Sequence, residues 1–430
     1  MNKIGFDIND SESSVRSYCR AFPEQFVSAK GAYLIGSNGK SYLDFLSGCG
    51  SLNYGHNNEK LKKKLIEYVE CGGLVMSMDM YTEAKSQFLE AFTNLILKPR
   101  NLSYKLQFPG PTGANAVEAA IKLARKVTGR TNVVAFTNGF HGCSLGALSL
   151  TGSSHHRSTS VPLLNQVTRM PYDGYFGEGV EAAQLLEQML KDPSSGVDAP
   201  AAIIFETVQG EGGLNCCTKA WAQKIQKIAR DIGALLIVDD IQAGCGRTGT
   251  FFSFEPLGIE PDMVCLAKAI SGFGLPMSLT LIKPEYDVWE SGEHNGTFRG
   301  NNLAFVTATS ALRNYWETAE FQKVILSNAQ KIELFLKNLS TEYPKMFSLV
   351  GRGMILGLRF ADPKVTKPIQ QECFSKGLII ELCGPNDEVV KFLPPLNIDS
   401  EALDIGLNTV KSAVQKVIGQ SHTGAECAAE

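Results

Sequence analysis

The stretch Ala234-Leu235-Leu236-Ile237-Val238-Asp239-Asp240 is an apolar run of strand length that ends in two carboxylates. Before it, apolar side chains recur at the spacing of one helix face, at Trp221, Ile225, Ile228, Ala229 and Ile232. An amphipathic helix that leads into a strand without alternating polar residues is typical of a parallel sheet covered by helices on both faces. This combination predicts an α/β fold.

Further apolar runs of similar length lie on both sides of this stretch and alternate with helical patterns. They are Tyr104–Phe108, Asn132–Phe136, Ala201–Glu206, Met263–Ala267 and Leu279–Ile282. Such alternation builds strand–helix–strand units. We therefore predict a large α/β domain over residues 58–320, with a mostly parallel sheet covered by helices.

The two ends of the chain have a different character. Tyr33–Ile35 and Tyr42–Phe45 flank a turn whose Asn38-Gly39 pair is a strong hairpin signal. The C-terminal part holds short strand candidates, such as Met354–Phe360, before a final helix. These patterns predict a smaller α+β domain built from both termini, residues 1–57 and 321–430.

Composition excludes several classes of protein. The 430 residues carry 41 Lys and Arg against 44 Asp and Glu, so the net charge of −3 favours neither nucleic acid nor an anionic membrane as partner. No apolar run approaches the roughly 18–20 residues of a membrane helix, and the polar start MNKIGFDINDSESS has no signal-peptide core. The eleven cysteines form no C-x-x-C pair and the six histidines no ligand cluster, which predicts a cytoplasmic protein with reduced thiols and no metal.

Three features follow apolar runs, at the sheet edge where open α/β folds bind ligands. Asp239 ends one run, Lys268 ends another, and Gly110–Lys122 begins with a glycine turn that opens a helix. Each has an ordinary explanation as a turn-capping acid, a solvated lysine or a plain helix start. Together they suit an aldehyde with a phosphate and a ring nitrogen, because helix N–H groups bind phosphate, lysine forms Schiff bases and a carboxylate keeps the ring nitrogen protonated. They therefore indicate pyridoxal 5′-phosphate as the cofactor.

Taken with these features, the sequence resembles the class III aminotransferases, fold type I of the pyridoxal phosphate enzymes. The likeness covers almost the whole chain and is carried by the motifs Gly139–Gly142, Gln209–Gly213, Asp239–Gln242, Gly246–Gly249 and Gly296–Asn301. The resemblance implies the fold predicted above, a large α/β domain with a smaller α+β domain from both termini.

The resemblance also implies roles for individual positions. Lys268 would carry the cofactor and Asp239 would pair with its ring nitrogen, which makes these two the catalytic residues. Gly113 and Ala114 would donate backbone N–H groups to the phosphate. A glycine at position 113 suits this role, because the backbone must approach the anion closely.

Three more positions complete the implied cofactor site. Phe140 would stack on the ring and Gln242 would lie near the ring hydroxyl. Thr297 would reach the phosphate of the neighbouring protomer, so the resemblance implies a homodimer, or a higher oligomer, with shared active sites.

Within the class, three segments resemble the enzymes that form diaminobutyrate in ectoine biosynthesis: Gly50–Asn57, Met78–Lys85 and Gly292–Asn302. The implied reaction moves the amino group of L-glutamate to L-aspartate 4-semialdehyde and yields L-2,4-diaminobutyrate and 2-oxoglutarate. Three alternatives stay open: an ω-aminotransferase for ornithine or GABA, a racemase or aminomutase on the same fold, and an inactive paralogue that serves as a binding subunit.

The resemblance also implies a gate: ω-aminotransferases often pair a gating glutamate with an arginine, and the matching positions here are Glu211 and Lys391. Arginine grips a carboxylate with two parallel hydrogen bonds, whereas lysine is a point charge. Glutamate must present its α-amine while the semialdehyde reacts at its far end, so one pocket has to accept an α-carboxylate in two places. A Glu211–Lys391 ion pair that breaks for one substrate would allow this. The competing interpretation of Lys391 is a solvated strand residue.

Overall fold

The computed structural model describes residues 11–158, 164–177 and 179–426. The first ten residues, which form most of the polar start, lie outside these ranges. Within them, no helix combines the length and the apolar character that crossing a membrane requires.

The strands of the described residues fall into four sheets. In chain order they are β1 (Phe26–Lys30), β2 (Tyr33–Gly36), β3 (Ser41–Asp44), β4 (Lys105–Gln107), β5 (Val133–Phe136), β6 (Val167–Met170), β7 (Ala202–Phe205), β8 (Val208–Gln209), β9 (Asn215–Cys216), β10 (Leu235–Asp239), β11 (Met263–Leu266), β12 (Leu279–Ile282), β13 (Phe347–Arg352), β14 (Ile355–Phe360), β15 (Leu378–Ile379), β16 (Glu381–Cys383) and β17 (Val389–Phe392).

Helices connect and cover these strands. The longer ones span Glu59–Glu70, Glu83–Ala91, Gly113–Thr128, Ala182–Lys191, Lys219–Ile232, Asn302–Tyr315, Glu320–Glu342, Thr366–Ser375 and Ser400–Glu426. The shorter ones span Tyr18–Ala21, Ser47–Gly50, Leu145–Leu150 and Ser154–Arg157, with a π-helical turn at Phe92–Leu97. Single 3₁₀ turns lie at Lys98–Arg100, Glu255–Leu257, Lys268–Ser271, Pro284–Tyr286, Thr297–Arg299 and Pro363–Val365.

The central sheet has seven strands in the order β4-β12-β11-β10-β7-β5-β6. All six apolar runs predicted as strands contribute to it, which confirms the α/β prediction. Neighbours from β11 to β6 pair in parallel, and β12 runs antiparallel to both of its neighbours. The sheet is therefore mostly parallel, as predicted. Strand β6 was not predicted from the sequence.

Alternate residues of each central strand pack against helices on opposite faces of the sheet. On one face, Phe136, Phe205 and Val238 join a core with Trp221 and Ile225 of the helix Lys219–Ile232. On the other face, the neighbouring strand residues belong to a second core, with the helix Gly113–Thr128. Because side chains alternate along a strand, a run without polar residues fills both cores at once.

The two ends of the chain meet in one sheet. The predicted hairpin forms as β2 and β3, and β3 pairs in parallel with β15, with Leu43 opposite Leu378. A separate antiparallel sheet follows the order β13-β14-β17-β16. The domain boundaries at residues 57 and 320 stay a prediction.

Candidate active site

A cleft of about 410 Å³ opens where β10 and β11 end and the helix Gly113–Thr128 begins. Seven of the nine predicted site residues line it: Gly113, Ala114, Phe140, Glu211, Asp239, Gln242 and Lys268. The other two, Thr297 and Lys391, lie outside its walls. The position agrees with the rule that open α/β sheets bind ligands beyond the carboxyl ends of their strands.

Lys268 is the second residue after β11 and begins a 3₁₀ turn. Its φ of 51° is in the left-handed region, which non-glycine residues rarely adopt. Ala267 and Ala269 on either side of it are buried, while Lys268 itself is half-buried and lines the cleft. Backbone strain of this kind is found where a side chain must be held in one direction, and here that direction is the cleft.

Asp239 ends β10 and is fixed by two contacts. Its Oδ2 lies 2.7 Å from His141 Nδ1, and its Oδ1 accepts a hydrogen bond from Ile241 N at 3.2 Å. Burial disfavours a charged imidazole, but the Asp239 carboxylate outweighs burial and raises the pKa of His141. His141 belongs to the Gly139–Gly142 motif, yet the sequence assigned it no role.

A second buried acid, Glu206, lies on the same wall of the cleft. It accepts hydrogen bonds from Phe140 N at 2.9 Å and Gly210 N at 3.3 Å. Burial, together with the Asp239 charge, raises the pKa of Glu206 to about 8, although the His141 charge opposes the shift. Glu206 was also not predicted. By accepting from these two backbone N–H groups, the Glu206 side chain connects the loops that carry Phe140 and Glu211.

The helix Gly113–Thr128 begins at the cleft, and its first two residues line the cleft wall. Thr112 Oγ1 and Thr112 N both donate to Asn115 Oδ1, at 2.9 and 3.1 Å, which fixes the first turn. A Cβ on Gly113 would stand 2.9 Å from Ile241 Cδ1. The first N–H groups of a helix have no intrahelical partner and carry the positive end of its dipole. This end of the cleft therefore suits a phosphate.

Phe140 and Gln242 also line the cleft. The Phe140 ring is half-buried and meets the His156 ring edge-on at 5.3 Å. Gln242 Nε2 donates to Glu211 Oε1 at 3.1 Å and to Cys49 O at 3.2 Å. Gln242 Oε1 is buried without a hydrogen-bond partner among the described residues. Such an unpaired acceptor is costly unless a ligand supplies the donor.

Lys391 lies behind Glu211 and is completely buried. Its Nζ is 3.0 Å from Glu211 Oε1 and 2.8 Å from Glu381 Oε2. Burial opposes the charge on both groups, but their mutual attraction is stronger. The pKa of Lys391 therefore lies well above its usual range. The positive charges of Lys391 and Lys268 lower the pKa of Glu211 to about 2. The interpretation of Lys391 as a solvated strand residue is therefore wrong. Glu381 was not predicted.

Thr297 is exposed in the 3₁₀ turn Thr297–Arg299 and does not line the cleft of its own chain. Its predicted contact with the phosphate of a neighbouring protomer stays a prediction.

The fold and this cleft define a class of protein, and residues 19–414 match the family "Aminotransferase class-III". The chain belongs to this family, and its cofactor is pyridoxal 5′-phosphate. Two observations show that the cleft fits the cofactor: the helix start packed against Ile241 suits a phosphate, and the unpaired Gln242 Oε1 awaits a donor.

Particular relatives are similar over nearly their whole length. The diaminobutyrate–2-oxoglutarate transaminase of Vibrio cholerae is 57% identical over 401 residues, which are 93% of this chain and 97% of that protein. The protein of the same name from Halalkalibacterium halodurans is 54% identical over 95% of both chains. Among solved structures, the ornithine aminotransferase of Toxoplasma gondii superimposes with a TM-score of 0.84 at 23% identity, covering 96% of this chain and 94% of its own. That likeness concerns the fold.

Proposed function

We propose that this enzyme transfers the amino group of L-glutamate to L-aspartate 4-semialdehyde, giving L-2,4-diaminobutyrate and 2-oxoglutarate. The observation that carries the proposal is the set of relatives named diaminobutyrate–2-oxoglutarate transaminase, which are 51–57% identical over more than nine-tenths of this chain. The Glu211–Lys391 ion pair supports it, because the two substrates differ in where they carry the α-carboxylate.

Each cofactor contact would come from a residue whose position suits it. Lys268 would attach to the cofactor aldehyde, the N–H groups of Gly113 and Ala114 would bind its phosphate, Phe140 would cover one face of its ring, and Gln242 Oε1 would accept from the ring hydroxyl. When bound, pyridoxal 5′-phosphate draws electrons from the carbon that bears the amine and makes its C–H acidic.

The residues around the bound substrate would then handle protons and charge. Lys268 Nζ would carry the proton from one carbon to its neighbour. Asp239 would keep the ring nitrogen protonated, and His141 would hold the Asp239 carboxylate in one orientation.

Glu211 and Lys391 would act as a gate, the name used below for this ion pair. With the gate closed, Glu211 pairs with Lys391, and the cleft is suited to a substrate that reacts at its far amine or aldehyde. With the gate open, Glu211 gives way to the side-chain carboxylate of glutamate, which pairs with Lys391. One pocket can then accept both substrates.

We further propose a homodimer with shared active sites. Large apolar side chains that are about half exposed or more lie in the two segments that meet at the Met76–Asn301 bridge: Leu74, Val75, Met78, Met80, Tyr81 and Phe298. A surface of this kind favours a protein partner. Thr297 lies beside Phe298 and would reach the phosphate of the partner's cofactor.

We also propose that the enzyme acts in the cytoplasm, in ectoine biosynthesis.

A half-reaction screen tests the function. The purified enzyme is mixed with single amine donors, and conversion of the bound cofactor to its amine form is followed by absorbance. Glutamate and diaminobutyrate should both convert it, and aspartate 4-semialdehyde should convert it back. A preference for ornithine or GABA over diaminobutyrate would indicate a different ω-aminotransferase, and epimerisation of one amino acid without an oxo acid would indicate a racemase.

Attachment of the cofactor is tested separately. Lys268→Ala should lower turnover by about 10³-fold or more while the protein stays folded, because the lost group is chemical rather than structural. Borohydride should fix the cofactor to position 268 in the parent and in the control Lys219→Ala, whose side chain is exposed. Fixation at another lysine would contradict the assignment.

A further inference from the structure

Lys391 contacts two carboxylates, and only one of them faces the cleft. The Glu211 side chain is 34% exposed and lines the cleft, whereas the Glu381 side chain is 6% exposed and does not. A substrate carboxylate can therefore take the place of Glu211 but not that of Glu381.

Glu381 is held by contacts that do not involve the Glu211 side chain. It lies directly opposite Lys391 in the antiparallel pair of β16 and β17, so backbone register places the two side chains together. The hydroxyl of Tyr18 donates a hydrogen bond to Glu381 Oε1 at 2.7 Å. Neither contact has to change when Glu211 moves.

The distribution of hydrogen bonds around Lys391 points the same way. Lys391 Nζ donates to Glu211 Oε1 at 3.0 Å and to Gly210 O at 3.1 Å, both on the loop at the cleft. Glu381 Oε2 lies 2.8 Å from Nζ, and no other donor among the described residues competes for it. It is thus available to Lys391 at the moment when Glu211 leaves.

An ammonium group without a counter-ion is very unfavourable at a fully buried position. If Glu211 were the only partner, opening the gate would leave such a charge until the substrate arrived. We propose that Glu381 is the positioning residue of the gate, which keeps Lys391 charged and in place while Glu211 gives way to a substrate carboxylate. The proposal rests on the function proposed above, because it needs one substrate that opens the gate and one that does not.

The test compares the two half-reactions of the holoenzyme. The measured quantity is kcat/KM for glutamate divided by kcat/KM for diaminobutyrate. Glu381→Gln should lower this ratio by about tenfold or more, because only glutamate requires the gate to open. Tyr18→Phe, which removes the hydrogen bonds of the Tyr18 hydroxyl to Glu381 and Cys49 but leaves both acidic side chains in place, should lower it by about two- to fivefold. Glu388→Gln is the matched control and should leave the ratio within about twofold, since Glu388 precedes β17 in the same hairpin and has no contact with Lys391.

A ratio within about twofold of the parent in Glu381→Gln would overturn the proposal, even if total activity fell, because a merely structural residue would slow both half-reactions alike. If Glu381→Gln does not fold, as judged by circular dichroism, Tyr18→Phe decides by the same criterion. Failure of the proposed function would look different, because the parent enzyme itself would not react with diaminobutyrate. The ratio would then be taken against whichever terminal-amine donor without a side-chain carboxylate the parent accepts.

Discussion

His141 Nδ1 lies 2.7 Å from Asp239 Oδ2, and both side chains are buried at the base of the cleft. The Asp239 carboxylate raises the pKa of His141 against the effect of burial. The contact also holds the Asp239 carboxylate in one orientation, from which it can pair with a protonated ring nitrogen.

We expect His141→Gln to lower kcat in both half-reactions by about tenfold or more, because a hydrogen bond to a charged group contributes about 1.5–3 kcal/mol. Stability should respond to pH as well. A histidine whose folded pKa is raised stabilises the fold below its unfolded pKa, and this contribution is lost as the pH rises through the folded value. The variant should therefore lose more unfolding free energy at pH 6 than at pH 9, measured by urea titration.

His156→Gln serves as the control, because the His156 ring packs against the rings of Phe140 and His155 and not against Asp239. An equal loss of kcat in both variants would contradict the role given to His141.

Local signals explain which residues of the cleft could be predicted from the sequence. Asp239 and Lys268 each follow an apolar run, and Gly113 opens a helix, so their positions follow from the sequence around them. The contact between His141 and Asp239 spans 98 residues, and the pairing of Glu381 with Lys391 depends on the register of β16 and β17. No periodicity in the chain encodes either meeting.

The same reasoning accounts for the one central strand that was missed. Strand β6 (Val167–Met170) lies at the edge of the sheet, and three of its four residues are only half-buried. An edge strand needs no continuous apolar run, because one of its sides has no neighbouring strand. The inner strands are fully buried and were all predicted.

Gly113 gives a steric test of the phosphate site. In Gly113→Ala the new Cβ would meet Ile241 Cδ1 at 2.9 Å and push the helix start and the cleft wall apart. We expect the Kd for pyridoxal 5′-phosphate to rise by about tenfold, since forced insertion of a methyl group costs about 1–3 kcal/mol. Absorbance titration of the apoenzyme measures it.

The double variant Gly113→Ala/Ile241→Val removes the clashing Cδ1 and should recover most of the affinity. If the double variant bound pyridoxal 5′-phosphate as weakly as Gly113→Ala alone, the glycine would be needed for a reason other than this contact.

The gate predicts a dependence of stability on acid. Burial opposes the Glu211 charge, but Lys391 and Lys268 lower the pKa of Glu211 from its ordinary 4.5 to about 2. A carboxylate with a lowered folded pKa stabilises the fold above its unfolded pKa, and the contribution is lost as the pH falls through the folded value. Glu211→Gln should therefore cause its largest loss of unfolding free energy at about pH 6, and this loss should shrink as the pH falls from about 4.5 to 2.

The matched background for this measurement is Lys391→Met, which removes the main partner of Glu211. In that background the unfolding free energy lost on Glu211→Gln should vary much less with pH. The same pH trend in both backgrounds would assign the effect to groups other than the gate.

Phe298 tests the proposed dimer. Its side chain is 65% exposed beside Thr297, among apolar residues that include Tyr81, which is 98% exposed. Aspartate at this place would put a charge into an apolar interface, and we expect Phe298→Asp to weaken dimerisation by about thirtyfold or more, the effect of losing an interface anchor of about 2 kcal/mol. Sedimentation should show a dimer for the parent and for the control Tyr175→Asp, because Tyr175 is 52% exposed but lies outside these two segments.

The role of Thr297 is tested with the same variant. If Thr297 completes the partner's phosphate site, Phe298→Asp should also bind pyridoxal 5′-phosphate more weakly at protein concentrations where it is monomeric. A monomeric parent that binds the cofactor fully would contradict both the dimer and the role of Thr297, because the single chain would then be sufficient.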